Sequence, residues 1–222
     1  MSIRRVCPPE AHLLASLLCP SLQSVSMRLF RPRYDALSDE ALMGHVVQGD
    51  TRAFDVLYQR YSQKLLHYFF RMLNHDEGRA QDLLQDLFVK VIEKPQLFDP
   101  QRKFSTWLFA IASNMVKNEY RSRQVRSVMT YPEDMSALDL PTEALEEALN
   151  RQHFGRCLQA ELQTLSEAHR EVFILRYQEG MSIREISEVM TCSEGTVKSR
   201  LFYALRNLAQ RLRVFDPKYS GQ

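Results

Sequence analysis

The sequence predicts an all-α fold of two small helical domains, and three observations lead to this prediction. Glycine and proline are scarce, with seven and nine in 222 residues, whereas a β-sandwich or barrel needs many turn residues. Leucine, alanine, arginine, glutamate and glutamine, which favour helices, are abundant. Apolar residues recur at the three- and four-residue spacing of amphipathic helices on both sides of an acidic segment at 127–150.

The first domain is predicted over residues 35–126, and its early helices follow from local signals. Ser38 stands before two acids, which together favour the start of a helix. After a Gly-Asp interruption, a long amphipathic helix resumes at about Thr51. A third helix is predicted from about Glu77 to Glu93 because Pro95 stops it. Its polar face carries Asp82, Gln85 and Asp86.

A fourth helix is predicted after a loop at 98–105, with Ser105 or Thr106 as its N-cap. The formal net charge of the chain is only +2, so any binding to nucleic acid depends on local clusters. Residues 101–126 hold six cations and one acid, with aromatic residues among them that suit stacking on unpaired bases. The alternative is a core helix with a basic outer face. The outward polar residues are Asn114, Lys117, Asn118, Arg121 and Arg123.

The second domain is predicted over 151–215 as a four-helix domain that ends in a helix-turn-helix, "SIREISEVMTCSEGTVKSRLFYALRNLAQRL". Ser182 and Ser193 are its expected N-caps. The last helix buries a stripe that includes Leu201 and either Ala204 or Leu205. Its outward residues, concentrated where a recognition helix reaches base edges, are Thr196, Lys198, Ser199, Arg200, Tyr203 and Arg206. A helical hairpin with a solvated face is the alternative.

Composition gives no sign of catalytic or cofactor chemistry. The four cysteines are scattered and the six histidines stand apart from them, so the sequence predicts no disulfide framework, no metal site and no cofactor. The P-loop, GxGxxG, HExxH and GxSxG motifs are absent, so we expect no enzyme. No run of about 18 apolar residues is present to span a membrane. These features favour a cytoplasmic protein.

Four blocks of the sequence resemble, in order and spacing, the extracytoplasmic-function group of bacterial RNA polymerase sigma factors. They are "QGDTRAFDVLYQRY", "AQDLLQDLFVKV", "FSTWLFAIASNMVKNEYR" and "REVFILRYQEGMSIREISEVMTCSEGTVKSRLFYAL". The resemblance runs from about Leu37 to Leu212. It implies an alternative sigma factor whose first domain, region 2, binds the polymerase clamp and opens the minus-ten element, while its second domain, region 4, reads the minus-thirty-five element.

The resemblance also assigns roles to residues. Asp82, Gln85 and Asp86 would contact the clamp of core RNA polymerase. The loop 98–105 would bind the minus-ten strand, with one base flipped out, together with Asn114, Lys117, Asn118 and Arg121. Arg184 would contact phosphate, and the outward residues of the last helix would enter the upstream major groove. Tyr203 and Leu205 depart from the family, which often has cations at those positions.

The partners implied by the resemblance are core RNA polymerase, promoter DNA and an anti-sigma factor, membrane-anchored or not, with no small-molecule substrate. The two promoter elements lie about two DNA turns apart, roughly 70 Å. The acidic linker 127–150 can reach at most roughly 80 Å, so a nearly extended linker suffices. Its acidic character suits a basic channel of the polymerase, where it would mimic nucleic acid.

Two other interpretations remain open at this point. A helix-turn-helix regulator would bind a palindromic operator without polymerase, and a helical protein adaptor would show no salt-dependent binding to DNA. The first 26 residues match no part of the family, so Met1–Ser26 is expected to be dispensable. Residues 1–34 are expected to be an N-terminal extension, either disordered or not translated, with Met27 as an alternative start. Residues 216–222 are expected to be a tail.

Overall fold

A computed structural model describes residues 34–126 and 146–213, with side chains described over 34–123 and 153–213. The chain divides into two units, Met1–Leu37 and Ser38–Gln222. The described part of the first unit contains one 3-10 turn, Tyr34–Ala36. The described part of the second unit contains eight α-helices and no strand, which confirms the all-α prediction. In chain order they are α1 (Asp39–Val47), α2 (Thr51–Met72), α3 (Glu77–Glu93), α4 (Phe104–Arg126), α5 (Glu146–Thr164), α6 (Glu167–Tyr177), α7 (Ile183–Met190) and α8 (Glu194–Arg211).

Side-chain caps fix the starts of the first three helices. The Ala41 N–H donates to Ser38 Oγ at 3.2 Å at the start of α1. Asp50 and Asp76 cap α2 and α3 in the same way. Between α1 and α2 the chain turns at Gly49, whose φ of 85° lies in the left-handed region that glycine adopts without strain. These helices therefore begin where the local sequence predicts.

The start of α4 differs from the prediction. The helix begins at Phe104, so neither Ser105 nor Thr106 is its N-cap. The Phe104 N–H donates instead to Glu40 Oε1 of α1 at 3.0 Å. A carboxylate suits this position because the N-terminus of a helix carries unpaired N–H groups and a partial positive charge. Helix α1 thus supplies the cap of α4.

Helices α1 to α4 form a first bundle around an apolar and aromatic core. Its fully or nearly fully buried side chains include Leu42, Met43, Leu57, Leu65, Phe69, Leu87 and Leu108. Aromatic rings pack edge to face within it, with 5.5 Å between the ring centroids of Tyr68 and Phe109. This core holds α3 and α4 side by side, each with a polar face left outside.

Helices α5 to α8 form a second bundle that contains the helix-turn-helix. A capping box starts α7, because the Glu185 N–H donates to Ser182 Oγ at 3.2 Å and the Ser182 N–H donates to Glu185 Oε2 at 2.8 Å. Thr191, at a φ of 53°, makes the left-handed corner, and Ser193 caps α8. One buried cluster of this bundle consists of Leu162, Leu165, Phe173, Ala204 and Leu208.

The two bundles are in contact, since α7 lies against α4 and α6 against α2. Helix α5 begins at Glu146, so residues 146–150 are helical, whereas the sequence placed them in the linker. The rest of the predicted linker, together with residues 1–33 and 214–222, lies outside the described residues. Within the described ranges, no helix is long and apolar enough to cross a membrane.

Candidate functional site

A polar face of α3 carries the three residues predicted to contact polymerase. Asp82, Gln85 and Asp86 are all exposed there, while Leu87 of the same helix is fully buried. Val89 and Ile92, which the sequence analysis did not single out, continue this face and are 50% and 53% exposed. Their exposure could have been predicted from the sequence, because neither position fits the spacing of the apolar residues that α3 buries. The face therefore combines carboxylates with apolar side chains, a mixture found at protein interfaces.

The outer face of α4 carries the predicted minus-ten residues in one stripe. Asn114, Asn118 and Arg121 are exposed, and Lys117 is half-buried. Their spacing of three and four residues places them on one side of the helix. Arg121 Nη1 donates to Asn118 Oδ1 at 3.3 Å. Amide and cationic donors thus stand together on a surface that can meet a polyanion.

The loop before α4 is less available to bases than its aromatic content suggests. Phe98 and Phe104 are buried, at 6% and 0% exposure, so they belong to the core and do not offer stacking surfaces. Trp107 is half-buried, with its ring centroid 5.3 Å from that of Phe98. The charged members of the loop, Arg102 and Lys103, are exposed. Only Trp107, among these three aromatic residues, retains a ring surface that a base could reach.

A buried carboxylate ties α4 to α3. Glu119 is 6% exposed and forms ion pairs with Arg79 of α3 at 2.8 Å and with Arg123 at 3.1 Å. Arg123 also pairs with Asp76 at 2.8 Å. Hydrogen bonds from Arg79, helped by Arg123 and opposed by burial, lower the pKa of Glu119. This network fixes α4, which carries the predicted minus-ten residues, to α3, which carries the predicted polymerase face.

The outward face of α8 agrees with the sequence prediction in part. Lys198, Ser199, Tyr203 and Arg206 are exposed. Thr196 is half-buried, with its hydroxyl 2.9 Å from Ser193 Oγ, so it takes part in the helix cap. Arg200 is also half-buried, with Nη1 3.8 Å from the sulfur of Cys192. Arg184, in α7, has 82% of its side chain exposed, and its Nε lies 3.5 Å from Glu188 Oε1 of the same helix.

Two apolar residues of α8, Phe202 and Leu205, are exposed. The sequence suggested no role for Phe202 and left open whether Ala204 or Leu205 is buried. Ala204 is fully buried and Leu205 is 40% exposed, so the buried stripe runs through Ala204. Phe202 is 60% exposed and its ring lies 5.5 Å from that of Tyr203. Phe202 could have been identified, because its position does not fit the spacing of the buried stripe. An aromatic ring beside exposed cations can contact thymine methyl groups in a major groove.

The exposed faces of α3, α4 and α8 carry carboxylates, amides, cations and aromatic rings, which are groups that bind other macromolecules through hydrogen bonds, ion pairs and stacking. In residues 34–126 and 146–213 no cluster of three or more His, Cys, Asp or Glu side chains could hold a metal ion.

Comparison with known proteins identifies the two bundles. The family described as Sigma-70 region 2 matches residues 57–126, and Sigma-70, region 4 matches residues 155–208. The RNA polymerase sigma-H factor of Pseudomonas aeruginosa is 34% identical over 184 residues, covering 79% of this chain and 94% of that protein. The ECF RNA polymerase sigma-E factor of Escherichia coli K12 is 31% identical over 177 residues, covering 77% and 92%.

Solved structures share the fold. CnrH, solved in complex with the cytosolic domain of CnrY, is 27% identical with a TM-score of 0.60, covering 79% of this chain and 97% of CnrH. The sigma factor RpoE of Bartonella quintana, solved with the anti-sigma factor NepR, has the same fold at 23% identity and a TM-score of 0.57 over 72% of this chain and 97% of RpoE. The chain therefore belongs to the extracytoplasmic-function group of bacterial RNA polymerase sigma factors.

Proposed function

We propose that this sigma factor binds core RNA polymerase through α3, opens the minus-ten element through α4 and reads the minus-thirty-five element through α8. Region 2 would span residues 35–126 and region 4 residues 151–215. The observation that carries the proposal is the exposure of a distinct polar face on each of these three helices, while their other faces are buried in a core. The chain itself would catalyse nothing, since RNA synthesis belongs to the polymerase, and it would act in the cytoplasm.

The polymerase-binding face would consist of Asp82, Gln85 and Asp86 with Val89 at its centre. Val89 lies three residues beyond Asp86 and seven beyond Asp82, so the three side chains share one side of α3. A half-exposed valine surrounded by carboxylates fits a partner surface that offers an apolar patch flanked by cations. Its exposure of 50% in this structure costs free energy that contact with the clamp would recover.

The minus-ten face would hold a separated DNA strand. Asn114 and Asn118 can hydrogen-bond to base edges, while Lys117 and Arg121 contact phosphates. Trp107, at the start of the same helix, offers a partly exposed ring for a flipped base. Because the Glu119 network fixes α4 to α3, a strand held here would be positioned relative to the polymerase.

The minus-thirty-five face would insert the first turns of α8 into the major groove. Lys198 and Ser199 can reach base edges, Arg206 can reach phosphate, and Phe202 with Tyr203 would contact thymine methyl groups. Arg184 of α7 would contact the flanking phosphate. The apolar character of Phe202 and Leu205 predicts an upstream preference different from that of relatives with an arginine-rich recognition helix.

An anti-sigma factor is a further proposed partner. The family resemblance implies one, and a factor that shares this fold has been solved with an anti-sigma factor bound. Exposed apolar residues such as Val89 and Phe202 are surfaces that such an inhibitor would cover.

The test is run-off transcription with purified core polymerase and fragmented genomic DNA. The wild-type chain should produce discrete transcripts that core polymerase alone does not. Asp86→Arg should abolish both transcription and co-purification with polymerase, because it reverses a charge on the exposed face. Gln81→Arg, which also changes an exposed residue of α3 but lies outside the proposed contact set, is the matched control and should retain activity.

Two results would contradict the proposal. The polymerase face is wrong if Asp86→Arg lowers the midpoint of thermal unfolding by many degrees, since that residue would then be structural. The sigma-factor function is wrong if the chain protects a palindromic operator in the absence of polymerase and yields no transcripts in its presence.

A further inference from the structure

We propose that Arg79 of α3 is a positioning residue for strand binding, because its side chain joins Asp82 of the proposed polymerase face to Glu119 of α4. Glu119 stands next to Asn118 of the proposed minus-ten face. Contact of polymerase with Asp82 would thereby change how firmly α4 is held. This role rests on the proposed function, which identifies the two faces, and it adds the residue that links them.

The guanidinium of Arg79 is divided between two carboxylates. Nε and Nη2 donate to Glu119 Oε2 at 3.1 and 2.8 Å, whereas Nη1 donates to Asp82 Oδ2 at 3.4 Å. The contact with Glu119 is short and uses two donors, whereas the contact with Asp82 is long and uses one, so Glu119 is the stronger partner. Hydrogen bonding to Glu119 is also the main reason why the pKa of Arg79 is raised, although burial opposes the rise. Arg79 therefore remains a cation that two carboxylates share.

The backbone of Arg79 is fixed at the start of α3. Its N–H donates at 3.0 Å to Oδ1 of Asp76, the N-cap residue of the helix. The other oxygen of the same carboxylate, Oδ2, accepts a hydrogen bond from Arg123 of α4 at 2.8 Å. Because the cap holds the first turn of α3 in place, a change in the contacts of the Arg79 side chain acts on α4.

The position of α4 depends on Glu119 because this carboxylate is buried. Glu119 is 6% exposed, and its Oε1 accepts a hydrogen bond from Arg123 Nε at 3.1 Å. A buried carboxylate that loses a donor is destabilised, so α4 stays where both arginines reach it. Asn118 and Arg121, joined by a hydrogen bond of 3.3 Å, are exposed on the same turn of the helix. A shift of Glu119 would therefore displace groups that are proposed to meet a separated strand.

Polymerase would act on this arrangement through Asp82. The side chains of Asp82 and Arg79 are 64% and 35% exposed, so a cation of the polymerase can reach Asp82 and compete with Arg79 for it. Arg79 would then donate to Glu119 alone. The two arrangements of one guanidinium, shared and unshared, supply the two states that a coupling between the faces requires. Polymerase bound at Asp82 would favour the state in which α4 is held for strand binding.

Replacing Arg79 by lysine tests this role while keeping the positive charge. Lysine lacks the planar fork of donors, so it cannot contact both carboxylates as arginine does. The probe is a fluorescently labelled non-template minus-ten strand of a promoter found by run-off transcription, and its anisotropy reports binding to the saturated polymerase complex. Arg79→Lys should weaken strand affinity by about fivefold, less than the loss of a whole charge-assisted hydrogen bond. Affinity for polymerase, measured without DNA, should not fall. Arg52→Lys, the same change at an exposed arginine of α2, should leave both affinities unchanged.

Removal of the Asp82 charge should have the opposite effect on the free chain. Asp82→Asn weakens the contact of Arg79 with this position, as polymerase would, so the free variant should bind the same strand about threefold more tightly than wild type. Glu93→Gln removes the same charge from an exposed position of α3 outside the proposed contact set, and it should give no such gain. In the Arg79→Lys background, Asp82→Asn should also give no gain.

The outcomes separate this inference from the proposed function. Wild-type strand affinity of Arg79→Lys in the polymerase complex would overturn the positioning role, even if run-off transcription succeeds. An equal loss of affinity for polymerase and for the strand would show that Arg79 only supports the fold. If circular dichroism shows that Arg79→Lys is unfolded, the Asp82→Asn comparison decides on a chain with its native arginine. Equal strand affinity of free Asp82→Asn and Glu93→Gln, including no detectable binding by either, would overturn the coupling through Asp82.

Discussion

Replacing Glu119 by glutamine should lower the free energy of unfolding by about 2 kcal/mol at pH 7. The carboxylate accepts two N–H groups of Arg79, at 3.1 and 2.8 Å, and one of Arg123 at 3.1 Å. Glutamine keeps one acceptor oxygen but turns N–H groups toward the other arginine, so about one charge-assisted hydrogen bond of about 1.5–3 kcal/mol is lost. The two guanidinium groups are 35% and 34% exposed and can recover some hydration, which keeps the loss below that of a fully buried pair.

The same substitution should show a defined pH dependence. The pKa of Glu119 in the folded chain lies below its ordinary value of 4.5, chiefly because of the hydrogen bonds from Arg79. A lowered pKa in the folded state stabilises the fold fully above the pKa of the unfolded state and ceases to do so as the pH falls through the folded-state pKa. The difference in unfolding free energy between wild type and Glu119→Gln should therefore shrink as the pH falls below about 4.5.

Urea unfolding followed by circular dichroism at several pH values measures this difference. Asp82→Asn is the control. The Asp82 side chain is 64% exposed and its ion pair with Arg79 Nη1 is long, at 3.4 Å. Loss of this exposed ion pair should therefore change the free energy of unfolding by less than about 0.5 kcal/mol. A Glu119→Gln effect on stability no larger than that of Asp82→Asn at pH 7 would contradict the stabilising role of this carboxylate. So would a difference in unfolding free energy between wild type and Glu119→Gln that grows in acid.

Further predictions separate the two proposed DNA-binding faces and test the N-terminal extension. Lys198→Ala should weaken the preference for the upstream sequence by about 1–3 kcal/mol, measured by transcription from a promoter library. A pre-melted promoter bubble should not restore that preference, and rescue by the bubble would assign Lys198 to strand opening. Asn114→Ala should weaken the open complex, and the same bubble should restore transcription; no rescue would remove Asn114 from the strand-binding face. Deletion of Met1–Ser26 should leave run-off transcription within about twofold, whereas a tenfold loss, about 1.4 kcal/mol, would assign the extension a function.

Elements set by local signals were predicted well. Helix α3 runs over Glu77–Glu93 as the sequence indicated, because an N-terminal cap and a terminating proline act within one turn of the chain. The helix-turn-helix was equally predictable, since Ser182 and Ser193 cap helices whose apolar spacing is regular. Such features depend on neighbours in sequence, which a single sequence contains in full.

Features set by distant neighbours were not predicted. The start of α4 depends on a carboxylate 64 residues away, and no periodicity reports that contact. Phe98 and Phe104 stand near cations in the sequence, a pattern that favours base stacking, but tertiary packing buries both. The contact between the two bundles through Arg170 of α6 could not be predicted from the sequence either. Its guanidinium donates to the Met72 carbonyl and to Asn74 Oδ1, and these acceptors lie about a hundred positions earlier in the chain.

The cap that Glu40 provides for α4 also bears on how this protein can be divided. The region 2 match begins at residue 57 and contains the whole of loop 98–105 and α4, yet it excludes the carboxylate that accepts the first N–H of that helix. It also excludes Asp39, which pairs with Arg60 at 2.6 Å. The border of sequence similarity and the border of the smallest stable piece therefore do not coincide. A transplanted or isolated region 2 would have to carry the nine residues of α1 to keep loop 98–105, the proposed site of strand binding, in shape.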